Sequence, residues 1–270
     1  EVLQQTAKNL ATKPYVQPKS PAPDIVSKID FDVAQHIKFR ADRELFAGGP
    51  GLYAVRLFHL DKFNPLPVTV NVAAGGMARR VIYSPEDFDY GNTGLADKLP
   101  KDIGFSGFRV MDSHQAATDW LAFQGASYFR SSGQDNQYGA SARGIAVNTA
   151  LQTAEEFPRF SQFWLTENGS VVTIYALLEG PSLTGAYKFD CVKNAAAQGG
   201  AVVMNVHCDL FFRADISRLG IAPLTSMYWY GENERSKAAD WRPEIHDNDG
   251  LAIFNGKGER IWQPLIDPPT

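Results

Sequence analysis

Cysteine is scarce: Cys191 and Cys208 are the pair present in 270 residues. That rules out a small fold stapled by disulfides, so a core must come from apolar packing, for which 44% hydrophobic residues are ample. The two cysteines flank Gly199-Gly200 symmetrically. A two-residue turn there would set them opposite each other on a hairpin and allow a disulfide, and a turn elsewhere between Asn194 and Gly200 would leave two buried thiols. Basic charge is not in excess, with a net charge of −4 and a sequence pI near 5.8. The Lys and Arg residues are scattered, which argues against nucleic acid as a partner. No apolar run approaches the roughly 20 residues of a membrane-spanning helix. No charged-then-apolar leader stands at the N-terminus, so any export signal is expected to be already removed. Walker, GxGxxG and HExxH patterns are absent. None of the five histidines has a partner at metal-ligand spacing, so neither a metal nor another cofactor is expected.

What is present is mostly strand. Val2, Leu3, Ala7 and Leu10 fall at helical spacing before Pro14, Pro18, Pro21 and Pro23 break the pattern. Asp24 and Asp30 then each stand where they could cap a short helix. Residues 1–45 therefore read as an arm packed on the rest. From Gly51 the period changes to two, and β-rich runs follow at short intervals through Gln263. Gly75-Gly76 and Asn255-Gly256 mark hairpin turns, the second joining Leu251–Phe254 to Glu259–Gln263. His114–Phe123 reads as one or two turns of helix. More than ten strands with no βαβ alternation predict an all-β fold, a large antiparallel β-sandwich over residues 46–266, with 267–270 the start of a linker.

Trp241-Arg242-Pro243-Glu244-Ile245-His246-Asp247-Asn248-Asp249-Gly250 concentrates an indole, a guanidinium, an imidazole and three carboxylates ahead of a strand. Pro243 excludes a continuous helix, so these side chains are placed on a loop held by a sheet. Asp247 and Asp249 lie two apart. On extended backbone they would share a face and repel, raising the pKa of one into the range of a general acid; the alternative is a solvated turn. Glu155-Glu156-Phe157-Pro158 is the only comparable acidic pair beside aromatic, proline-broken backbone. Aromatics make up 12% of the chain, and many sit beside polar groups. Flat rings with Arg, Asp, Glu and Asn around them suit the apolar faces and hydroxyl rim of a pyranose, although alternate aromatics also fill sandwich cores. Gly139-Ala140-Ser141-Ala142-Arg143-Gly144 misses a serine-hydrolase elbow at Arg143. Asp247-Asn248-Asp249-Gly250 shares only a fragment of a calcium loop.

Several stretches go further: Gly125–Arg130, Tyr138–Gly144, Glu155–Phe160, Gly185–Phe189, Ala222–Met227 and Arg242–Asp247. In that order they resemble the periplasmic glucan biosynthesis proteins G and D, of the osmoregulated periplasmic glucan pathway, over nearly the whole length. The resemblance implies a galactose-mutarotase-like sandwich, periplasmic localisation, and action on linear β-1,2-linked glucan beside other enzymes of that pathway. It also implies that a smaller immunoglobulin-like domain follows the large one. Some members are inverting β-1,2-glucanases and a related transglycosylating activity exists. The family's acid, the Asp of the His-Asp motif, maps onto Asp247. The family often has Asn at Asp249 and Asp at Asn148. The expected reading is a glycoside hydrolase or transglycosylase with Asp247 as general acid and Glu155 or Glu156 on the base side. Tyr128, Arg130, Tyr138, Arg143, Trp164, Trp241, Arg242 and His246 are the expected groove. The rival is a non-catalytic glucan-binding or scaffolding protein; a mutarotase-like epimerase lacks the paired histidines and glutamate it needs.

Overall fold

The structure is a computed structural model, and it describes residues 1–49, 51–133, 136–193 and 201–266. Two six-stranded sheets carry the fold. The first runs, edge to edge, Val202–Phe212, Leu183–Lys193, Val171–Glu179, Arg159–Asn168, Thr69–Ala74 and Met77–Arg80. The second runs Leu224–Thr225, Ser141–Arg143, Tyr128–Ser131, Asp119–Gln124, Gly107–Met111 and Val55–Phe58. All pairings within them are antiparallel except one: Arg159–Asn168 lies parallel to Thr69–Ala74. The chain between those two strands crosses through the second sheet, and that long excursion is what a parallel neighbour requires.

The inner faces meet in one apolar core. Phe108 and Phe123 of one sheet stack edge-on against Phe163 of the other at 5.1 and 5.8 Å, and Phe123 and Phe129 each meet Phe189 at 5.1 Å. Many of the aromatics thus fill the sandwich rather than a groove. Truncating one such ring to alanine costs about 3–5 kcal/mol.

A register shift between Phe160 and Gln162 decides which aromatics these are. Strict alternation would turn Phe163 outward if Phe160 faces in. The bulge resets the phase, so Phe160, Phe163 and Leu165 are all buried and Trp164 is sent to the outer face. There Trp164 joins Leu177, Ala186 and Phe211 beneath helix α1 (Val2–Ala11), whose Ala7, Leu3 and Leu10 complete a second small cluster. The Thr184 hydroxyl donates to the Ala7 carbonyl at 2.7 Å, and Gln4 Nε2 to Asp209 at 2.8 Å.

Helices α2 (Pro23–Val26) and α3 (Phe31–Ala34) follow. Asp30 caps α3 by accepting from the Val33 amide at 3.0 Å, as expected. Asp24 does not cap: Pro23 takes the first helical position, so Asp24 sits in the first turn with Ala22 before it.

Two further local expectations are corrected. His114–Phe123 contains a strand, Asp119–Gln124, instead of helix; Trp120 to Phe123 is buried on both faces, and an unalternated apolar run does not reveal its period. The C-terminal hairpin pairs Gly250–Phe254 with Arg260–Pro264, but Asn255-Gly256 is not its two-residue turn. Asn255 accepts from the Gly258 amide at 3.0 Å and its own amide donates to the Glu259 carbonyl at 3.1 Å, so the loop is longer and Gly258, at φ +83°, takes the left-handed position. Of the two outcomes open for the cysteines, the structure has free thiols, Cys191 buried and Cys208 half-buried: Cys191 faces Met204 and Cys208 faces Tyr187, each four residues from the pairing that a Gly199-Gly200 turn would give. That turn and residues 267–270 lie outside the described residues.

Candidate functional site: an aromatic cleft and an acidic loop

Phe129 points into the core, so its neighbours Tyr128 and Arg130 face the other way. Across the ladder Tyr128 is registered with Arg143. Arg143 is buried, its guanidinium 5.3 Å from the Tyr128 ring centre and 5.0 Å from that of Phe157, with Glu155 as counter-ion at 2.8 Å. Thr149 also donates to Glu155 at 2.9 Å. Glu156 is equally engaged: it accepts from the Ser182 amide at 3.0 Å and hydroxyl at 2.6 Å.

Around this cluster lies a cavity of about 520 Å³ lined by Tyr15, Phe63, Asn64, Tyr128, Glu155 and Phe157 among others. A second, of about 560 Å³, shares Phe63, Asn64, Tyr128 and Phe157 and reaches Arg130 and Ser141, so the two form one cleft. Phe63 and Phe157 present their rings to solvent at 69% and 52% exposure. Asp61 fixes Phe63 and Asn64 by accepting both backbone amides at 2.7 Å. Ser141 belongs to a strand paired with Thr225, not to a nucleophile elbow.

A chain of contacts runs from the cleft to the acidic loop. Arg130 lies over the Tyr138 ring at 4.7 Å, and the Tyr138 hydroxyl donates to the Asp119 carboxylate at 3.1 Å. Burial, then the Asp119 charge, raise that phenol well above its ordinary range, so it stays a donor. The next residue, Gly139, touches Asn248: a Cβ there would lie 3.2 Å from its side-chain nitrogen. Asn248 accepts from the Ser226 hydroxyl at 2.9 Å. Asp247 is doubly tied to Met227, its amide donating to the Met227 carbonyl at 2.9 Å and its carboxylate accepting the Met227 amide at 3.2 Å.

Asp247 and Asp249 therefore find different partners instead of facing each other. Asp249 lies 3.7 Å from His246 Nε2, and Glu244 lies 3.0 Å from the same nitrogen. His246 itself stacks on Tyr228 at 5.7 Å. No histidine has a partner at metal-ligand spacing along the sequence, yet the fold brings donor atoms of Glu244, His246 and Asp249 within 4.8 Å of one another, a grouping that could hold a metal ion. Linear spacing concealed it because the loop folds back between Ile245–His246 and Gly250.

The expected site residues thus fall into groups. Tyr128, Arg130, Tyr138, Arg143, Glu155 and Glu156 gather at the cleft. His246 and Asp247 stand beyond its rim at the acidic loop. Arg242 is occupied by Asp240, through paired bonds of 2.5 to 3.1 Å. Trp241 projects into solvent at 89% exposure, and Trp164 lies beneath α1 on the far face of the first sheet. Sequence reading missed Tyr15, Phe63, Asn64 and Phe157. Each of these adjoins a proline, Pro14, Pro65 or Pro158, in a segment outside the alternating pattern, and that is the signal that could have found them.

The fold and its cleft define a β-sandwich protein whose surface sets exposed rings beside an ion-paired guanidinium and an amide group, the kinds of group that stack on and hydrogen-bond a polar ligand. More particularly, the chain belongs to the family described as "Periplasmic glucan biosynthesis protein, MdoG", whose profile matches residues 1–270. It is 46% identical over 282 residues to "Glucans biosynthesis protein D 2" of Ralstonia nicotianae, covering 100% of this chain and 52% of that protein. It is 44% identical over 273 residues to "Glucans biosynthesis protein D" of Xylella fastidiosa (100% of this chain, 50% of the relative). To the Xanthomonas campestris protein of the same description it is 44% identical over 271 residues (99% and 50%). The chain spans about half the length of the curated relatives it matches. Among the described residues no helix is long and apolar enough to cross a membrane.

Proposed function

We propose that this chain acts in the periplasm, after loss of its export signal, on linear β-1,2-glucan backbones, as a hydrolase or transglycosylase. The observation that carries the reading is the cleft: solvent-facing Phe63, Tyr128 and Phe157 beside Asn64 and the Arg143–Glu155 pair, on a chain of the glucan biosynthesis family. The rings would cover the C–H faces of glucosyl units while the polar groups take their hydroxyls.

In the chemistry proposed, Asp247 as the carboxylic acid gives its proton to the glycosidic oxygen as the C–O bond breaks. A water attacks the anomeric carbon from the opposite face, losing its proton to a base; in a transfer reaction a sugar hydroxyl takes the place of that water. The Met227 amide orients the Asp247 carboxylate, and Gly139 and Asn248 join the loop to the cleft. Other enzymes of the same pathway would supply the backbone or consume the products.

The engagement of Glu155 by Arg143 and Thr149, and of Glu156 by Ser182, favours a second reading. Neither carboxylate is free for the base side, as a glucan-binding or scaffolding protein without catalysis would have it. Incubation with linear β-1,2-glucan and separation of products decides between the readings. Shortened chains mark a hydrolase, cyclic or extended chains a transferase, and unchanged chains with retained binding a binder.

A further inference from the structure

We infer that the N-terminal arm is a working wall of the cleft: Tyr15 and Gln17 form a subsite for an additional glucosyl unit, and Arg213 is the residue that positions them. The inference rests on the glucan reading of the cleft and extends it to a segment expected only to drape the domain.

Tyr15 and Gln17 line the same cavity as Tyr128 and Phe157. Their stretch has no regular secondary structure, and Pro14 and Pro18 bracket it, which limits the backbone freedom a ligand would otherwise have to remove. Its placement is fixed by the chain that leads into it. α1 is anchored by buried Ala7 and the Thr184 hydroxyl bond. Where the helix ends, a single guanidinium spans the gap between arm and sheet. Arg213 donates to the Leu10 carbonyl (2.8 Å from Nη2), to the Lys13 carbonyl (3.1 Å from Nε) and to the Gly180 carbonyl, and lies 5.7 Å from the Tyr15 ring centre. Arg213 serves these carbonyls from three different nitrogens, Nε, Nη1 and Nη2, a spread of donors that the single nitrogen of an ammonium does not reproduce.

The turn on the other side of Arg213 is fixed as well. Glu156 holds Ser182, and Gly180 packs so closely that a Cβ would sit 2.7 Å from Glu156 Oε1 and 2.9 Å from Pro158. Pro181, between them, also faces the cavity. The arm and this turn thus meet through Arg213, and both look onto the cleft. Burial raises the Tyr15 phenol above its ordinary range, so it carries a ring face for a pyranose and a hydroxyl that keeps its proton at neutral pH.

The test is calorimetric titration of the wild-type chain with linear β-1,2-glucooligosaccharides of stepped length. Affinity should rise with length until the arm is reached. Tyr15→Ala should weaken binding by about 3- to 10-fold, the range of one stacked ring, only for oligosaccharides long enough to reach it. Gln17→Ala should act in the same direction, and Tyr15→Phe should keep most of the affinity. Arg213→Lys should reproduce the Tyr15→Ala length dependence while the shortest ligands bind as before, a pattern that general loss of stability would not produce. Tyr15→Ala binding every length as wild type does, or losing equally at all lengths, overturns the arm's role and leaves the glucan reading standing. Failure of the wild type to bind any of them would sink that reading, and the inference with it.

Discussion

Replacing Glu155 by Gln tests whether this carboxylate is a counter-ion or a base. It removes a charge without changing shape and leaves Arg143, 6% exposed, as a cation between the Tyr128 and Phe157 rings with no anion beside it. Breaking a fully buried pair from one side costs about 3–5 kcal/mol, whereas exposed pairs contribute about 0–1 kcal/mol. The Glu155 side chain retains 24% of its exposure, so screening places the expected loss between these limits, at about 2 kcal/mol. For a chain of this size that is a fall of about 4–8 °C in Tm, measurable by circular dichroism. Adding Arg143→Met removes the stranded cation, so the double variant should regain part of the loss. A carboxylate that is a base and not a counter-ion behaves otherwise: Glu155→Gln would then cut turnover by about 10² to 10⁴ with no fall in Tm from a stranded Arg143. That second outcome would refute the structural assignment.

Other outcomes follow from the same structure. Burial depresses the pKa of His59, whose ring nitrogens contact the Leu60 carbonyl and the Tyr83 hydroxyl, while the unfolded chain titrates near the ordinary value of about 6.5. The folded state then binds fewer protons, so stability is intact above about pH 6.5 and falls below it by up to about 1.4 kcal/mol per pH unit; His59→Gln should flatten that slope in urea unfolding, and an unchanged slope would contradict it. Burial pushes the Cys191 thiol up to about 12, so it should resist a thiol reagent at pH 8 until the protein unfolds, and reduction should not shift Tm. EDTA should leave any glucan turnover intact, because paired proton transfers suffice for glycoside chemistry; loss of turnover rescued by calcium would give the Glu244–His246–Asp249 grouping a cation instead.

The sandwich was legible because period-two alternation survives along strands with one buried face, and the Gly75-Gly76 turn was readable from its residues, both with positive φ. Trp164 was not, because one bulge at Phe160/Gln162 inverted the phase of every following side chain. Asp119–Gln124 was hidden by burial on both faces, and the cysteine register by a turn whose centre no residue type fixed. At the site, Tyr128 and Arg143 could be chosen from sequence as aromatic and cationic groups, but their pairing across two strands could not. Tyr15 was out of reach for a further reason: its place in the cleft depends on Arg213, nearly two hundred residues away along the chain.

Asp247→Asn, assayed on linear β-1,2-glucan with separation of products and parallel titration of binding, tests the central claim most directly. The substitution keeps shape and an oxygen that can accept from the Met227 amide but removes the acidic carboxyl proton. The account predicts that wild type shortens or rearranges the glucan, that the Asn variant loses about 10² to 10⁴ in turnover while binding persists, and that Asp249→Asn costs far less. Full activity in Asp247→Asn, or equal losses in the two variants, would contradict it.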